Sequence, residues 1–246
     1  MNPLQRLSIL VLVASFAGQN MVHADFVEDW ETPAVSSGTT STSLPPLWNR
    51  FSGSISDSQI WHPVGTARFD QSEPLAFPAS GNQSLFLSGT NVAIYRMSGN
   101  FIQANTTYEL TAAIGHDKLV ANTQFWSLQL WADTNGSNGF EGSDGGDTFL
   151  GQEFGISGSA INPAVGAWET NTFTYDSTTM PSQVGKQLIV FLNNFNEGTS
   201  YYDNIALQTV PEPTGLALAL IGTLALFAAR HGRDCDNPRP SYSGRR

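Results

Sequence analysis

The sequence predicts an all-β chain, a two-sheet β-sandwich with a targeting segment at either end. Three observations predict it. Short runs rich in Val, Ile, Tyr, Phe and Trp recur between clusters of Gly, Asn, Ser and Pro, as strands do between turns. No amphipathic period of 3.6 residues extends across the interior. The stretch 25–208 is long enough for one domain with a sizeable core.

Taken in order, the chain starts with Arg6 ahead of the apolar residues 7–17, and Val22-His23-Ala24 then precedes Asp25. Residues 1–24 therefore predict a secretory signal peptide cut after Ala24, since so short an apolar stretch is no membrane anchor. Residues 35–46, dominated by Ser, Thr, Gly and Pro, predict a loop. Residues 84–87 and 92–97 predict a hairpin around Ser88-Gly89-Thr90-Asn91. Residues 107–114 and 124–132 continue the strands. In the second, Trp126, Leu128, Leu130 and Ala132 share one face and Phe125, Gln129 and Trp131 the other, which assigns Trp126 to the core. Residues 133–147 interrupt as an acidic, Gly-rich loop. Residues 149–156, 168–175, 188–192 and 201–207 supply the remaining strands, whose inner faces bury Trp, Phe, Leu and Ile in a two-sheet sandwich.

Between residues 25 and 210, 18 acidic side chains face 5 basic ones, a formal charge of −13. DNA, RNA and anionic lipid are poor partners for such a surface. Cys235 is the chain's only cysteine, so the interior forms no disulfide of its own and relies on packing, hydrogen bonds and a divalent cation.

Sugar binding requires an aromatic platform with polar groups beside it. Trp48, Trp61 and Trp131 are the candidates, the first two in less regular stretches suited to a loop-borne groove. The oxygen-rich loop 133–147 suits calcium, although it lacks the EF-hand register. Catalytic signals are weaker. His62 and His116 stand in no metal motif, and neither a Gly-x-Ser-x-Gly elbow nor an interior cysteine nucleophile occurs. The expectation is a non-catalytic protein. The alternative is an extracellular polysaccharide hydrolase using paired carboxylates.

The C-terminal end carries Val210-Pro211-Glu212-Pro213-Thr214, an uncharged apolar run over 215–229, and then Arg230 and Arg233. As a helix that run spans about 22 Å, short for a membrane core of roughly 30 Å, with Arg230 able to snorkel. Basic residues after it place the tail inside and the main body outside. Residues 209–233 resemble the PEP-CTERM sorting signal, from which the polar tail 234–246 departs. The resemblance implies an exosortase-type processing enzyme as partner and transient inner-membrane anchoring. It also implies a final place on the surface, or in the exopolysaccharide matrix, of a Gram-negative bacterium.

Phe26-Val27-Glu28-Asp29-Trp30-Glu31-Thr32-Pro33 and Ser200-Tyr201-Tyr202-Asp203-Asn204-Ile205-Ala206-Leu207 bracket the interior. They resemble the end strands of the galactose-binding-like jelly rolls found in carbohydrate-binding modules. That resemblance implies exopolysaccharide as a ligand. It also implies a structural Ca2+ held where Glu28 or Glu31 meets Asp203.

Overall fold

A computed structural model describes residues 23–62, 78–116, 125–156, 162–164, 166–195 and 198–211. The signal-peptide residues before His23 and the tag and tail residues 212–246, including Glu212, Pro213, Thr214, Arg230 and Arg233, lie outside them. Among the described residues, no helix is long and apolar enough to cross a membrane.

Among the described residues twelve strands build two antiparallel sheets, and the fold is an all-β jelly-roll sandwich. Strands β1 (His23–Glu28), β2 (Thr39–Ser41), β4 (Ser58–His62), β5 (Ser84–Ser88), β7 (Thr106–His116), β10 (Trp168–Asp176) and β12 (Thr199–Pro211) form the first sheet. Its order is β10-β7-β12-β5-β4-β2. One side of β12 pairs with β7, while the other pairs with β5 at its start and with β1 toward its end. Strands β3 (Trp48–Ser52), β6 (Val92–Phe101), β8 (Phe125–Asp133), β9 (Thr148–Ile156) and β11 (Gln187–Asn194) form the second sheet, in the order β3-β6-β11-β8-β9.

Alternation places the core between the sheets. Tyr108, Leu110, Ala112 and Ile114 of β7, Leu85 and Leu87 of β5, and Tyr202, Ile205 and Leu207 of β12 point inward. From the second sheet come Val92, Ile94, Trp126, Leu128, Leu130, Leu188, Val190 and Leu192. Trp126 is fully buried, as the parity of its strand requires. Strand β11 is buried on both faces, which matches its nearly continuous apolar run and its central place in the sheet.

The structure departs from the sequence reading near the start. β2 lies inside the stretch expected as a loop, and β3 and β4 occupy Ser-rich segments where no strand was expected. At the other end β12 runs through Val210 and Pro211, so the first two residues of the tag belong to the sheet, opposite Thr107 and Thr106.

Candidate functional site

The second sheet presents an unusual outer face. Residues of β8 with odd numbers, Ser127, Gln129 and Trp131, point away from the core, beside Phe191 and Asn193 of β11 and Tyr95 of β6. Phe51 of β3 and Phe149 of β9 complete it at the sides, 47% and 38% exposed. Phe140, carried on the loop between β8 and β9, lies over the middle. Its ring centroid is 4.5 Å from Phe191, 4.7 Å from Phe51, 5.0 Å from Trp131 and 5.8 Å from Tyr95.

Beside the rings runs a row of uncharged polar groups. Trp131 Nε1 donates to Gln129 Oε1 at 2.8 Å, which fixes the indole. Gln129 Nε2 in turn donates to Ser127 Oγ at 3.0 Å and Gln152 Oε1 at 3.1 Å. Next along β11, Asn193 is buried and its Oδ1 accepts no hydrogen bond. A buried acceptor without a partner costs about 1–3 kcal/mol, so a donor brought to this face gains by bonding to it. Its chemistry is that of a neutral binding surface, with flat apolar contact and amides for orientation.

The loop above it is held by two carboxylates. Asp133 accepts from the amides of Gly136 at 2.6 Å, Ser137 at 3.2 Å and Asn138 at 3.1 Å. Asp147 accepts from Glu141 N at 2.6 Å and Gly142 N at 3.0 Å, at the start of the short helix α1 (Gly142–Gly145). Burial pushes the Asp147 carboxyl up, the two amides pull it back, and Asp133 and Glu141 push it further up. The acidic loop expected to suit calcium thus spends two of its carboxylates on its own backbone.

The residues expected at a site lie in four places. Trp131 belongs to the face just described. Trp48 is 5% exposed and is corrected from platform to core: its ring packs 5.1 Å from Trp30, and its Nε1 donates to Glu28 Oε2 at 3.1 Å. Trp61 is also buried, against Tyr201 on the first sheet, in a cluster with Phe86 and Trp168. Glu28 is corrected as a metal ligand, because Arg96 Nη1 pairs with it at 3.3 Å and Trp30 N donates to it at 3.1 Å. Glu31 and Asp203 do converge on one segment. Glu31 accepts from Asn82 N at 2.6 Å and Gln83 N at 2.9 Å, and Asp203 accepts from Ser80 N at 2.8 Å. Among the described residues no three His, Cys, Asp or Glu gather as a metal cluster.

Comparison with known proteins decides the family. The model described as "HpiC1-like: HpiC1 cyclase" matches residues 28–208, most of the chain. The chain belongs to the HpiC1-like cyclase family. The expectation of a non-catalytic protein is thereby overturned, since the HpiC1-like family is one of enzymes. A Stig cyclase Fisc from Fischerella sp. TAU, solved with (3Z)-3-(1-methyl-2-pyrrolidinylidene)-3H-indole, shares 15% identity and a TM-score of 0.59, covering 78% of this chain and 100% of its own. The apo form of a cyclase from Fischerella sp. gives 16% identity and a TM-score of 0.60 over 78% of this chain and 98% of its own. At that identity the likeness is one of fold. A CBM22-1 xylan-binding domain from Paenibacillus barcinonensis Xyn10C gives 11% identity and a TM-score of 0.44, covering 78% and 97%. No curated protein matches the sequence.

No histidine, thiol, hydroxyl nucleophile or carboxylate pair marks this face in the sequence. Rings and amides on five different strands form no motif. Only the parity of β8, which set Gln129 and Trp131 apart from the core, pointed toward it.

Proposed function

We propose that this chain is an exported cyclase that folds an uncharged, unsaturated substrate against the outer face of the second sheet. The observation that carries the reading is the ring cluster of Phe51, Tyr95, Trp131 and Phe191, over which Phe140 lies, beside the unpaired Asn193 Oδ1. Ring closure of an unsaturated chain develops positive charge on carbon, and ring faces stabilise such charge by about 0.5–2 kcal/mol each while excluding water. Asn193 Oδ1 and the amides of Gln129 and Gln152 orient a polar handle on the substrate. A Fischerella cyclase was solved with 4-(1H-indol-3-yl)butan-2-one, which supports that compound as a first probe. Titration of the purified full chain by calorimetry is expected to give binding that weakens about tenfold in Trp131→Ala, the loss of one ring contact. Undiminished affinity in that variant would remove the face from the reading.

The same rings and amides suit a neutral exopolysaccharide. Retention of the chain on the host's polymer, lost in Trp131→Ala, would favour that ligand over a small one.

Export belongs to the same proposal. A signal peptidase cuts after Ala24, an exosortase-type enzyme processes the tag at 210–214, and the protein passes through the inner membrane to the surface or matrix of a Gram-negative cell. Intact mass of surface protein is expected to begin at Asp25 and lack the anchor, with less processing in Glu212→Ala. Retention of both ends in every molecule would sink the sorting account. A structural Ca2+ at Glu31 and Asp203 is likewise proposed. Both carboxylates already approach residues 80–83, and a cation there would relieve the repulsion of Asp29 on Asp203. Calorimetry with calcium and with chelator is expected to separate the melting temperatures. Coincident melting curves, with no calcium by elemental analysis, would exclude the ion.

A further inference from the structure

We infer that Phe140 is a plug: its ring stands where a ring of the substrate must lie, and the loop that carries it swings away when the substrate binds. The inference rests on the outer face being the substrate site. It adds a residue that decides which ligands reach that site.

Phe140 is packed like a core residue, yet its loop is not built like core. From residue 134 to residue 146 Phe140 alone is buried, and α1 buries nothing. Phe140 is thus the one side chain that the loop buries against the sheet. That side chain rests on rings from β6, β8 and β11 in the middle of the sheet and on Phe51 from β3 at its edge. Both ends of the segment have residues suited to turning. Gly136 at φ +75° and Gly142 at φ +74° have open space around them, and Gly146 takes φ +104°.

The second observation lies in the sheet itself. A patch serving only to seat Phe140 would be apolar throughout. Instead the ring cluster is continued along β8, β9 and β11 by Gln129, Gln152 and Asn193. Asn193, 8% exposed, leaves its Oδ1 unpaired, so no group of the loop satisfies it. A planar ligand with one hydrogen-bond donor does what the Phe140 ring cannot. It stacks on Phe191 and Trp131 and donates a hydrogen bond to Asn193 Oδ1 in one pose. The loop has a ready release, because Asp133 and Asp147 hold it through backbone amides that water can replace.

The test uses 2-naphthol, an uncharged planar ring system with a single donor, titrated by calorimetry into the full chain and into Phe140→Ala. If the plug occupies the site nine-tenths of the time, removing it tightens binding about tenfold. Phe140→Leu, which keeps a smaller plug, is expected to fall between. Equal affinity in wild type and Phe140→Ala would overturn the plug and leave the face standing. Absence of binding to Phe140→Ala would overturn the face, and the plug with it. Hydrogen exchange on the wild type reads the swing without any substitution. Saturating 2-naphthol is expected to expose the amides of Gly136, Ser137 and Asn138, and unchanged protection would overturn the movement.

Discussion

Glu28 and Arg96 meet inside the sandwich, and each bears the cost of leaving water. Burial pushes the Glu28 carboxyl up, while Trp48, the Trp30 amide and Arg96 pull it back; burial lowers Arg96, and Glu28 opposes that. The guanidinium also lies 4.1 Å from the centre of the Phe26 ring. Arg96→Met leaves the buried Glu28 carboxylate without its counter-charge and is expected to cost about 3 kcal/mol in urea unfolding, with Glu28→Gln added to it restoring part of the loss. A sequence shows Glu28 near the start of the fold and cannot show the arginine across the sandwich, so its assignment to a cation was natural and mistaken. Asp203 is different, since burial raises it to about 7 and the charge of Asp29 adds to the rise. An unfolded aspartate titrates near 3.9, so between roughly pH 4 and 7 the folded chain holds the extra proton. Its contribution to stability is complete in acid and is lost as pH rises through about 7. In chelator, Asp203→Asn is expected to flatten that part of the urea-midpoint profile.

At the scale of the element, β9 shows how closely the sheet is fitted. A Cβ on Gly155 would come within 2.2 Å of Trp126 Nε1, which is itself held by Asn162 Oδ1 at 3.0 Å. Gly155→Ala is expected to cost about 1–3 kcal/mol by overpacking, read as a lower urea midpoint at unchanged slope. Strands such as β7, β8 and β11 were legible because long apolar alternations or runs leave few other ways to bury them. β2, with three residues at the edge of its sheet, and β3 and β4, set among serines, have too little period to read and are specified by the partners they find. The 133–147 loop was legible as a loop. Phe140 within it was not legible as an anchor, because one apolar residue among glycines and acids has no period at all. Burying that ring is worth about 2 kcal/mol, an amount a stacking ligand can replace. Asp133→Ala, which removes the acceptor for three loop amides, is expected to speed their hydrogen exchange while leaving the strand amides of β8 and β11 protected.

For the whole molecule, the two-layer architecture followed from composition and pattern, whereas the cyclase family did not. A search for nucleophiles, bases and metal ligands passes over a surface of rings and amides, which resembles a core strand in every one-dimensional respect. The sandwich is expected to unfold in a single transition followed alike by tryptophan fluorescence and circular dichroism, since one core joins both sheets. Separate midpoints would mean that the sheets are not one cooperative unit.

The place of β12 sets a timetable for the chain. The last strand of the sandwich is flanked by β7 on one side and by β5 and β1 on the other, so the first sheet has a gap through its middle until residues near 211 arrive. Everything made earlier waits as an incomplete half-sheet, and β1 at residue 23 waits longest, for a partner at residue 209. Pairing over such separations is slow. A polypeptide arranged in this order stays threadable while its earlier strands are made and locks only after residues near 211 have emerged.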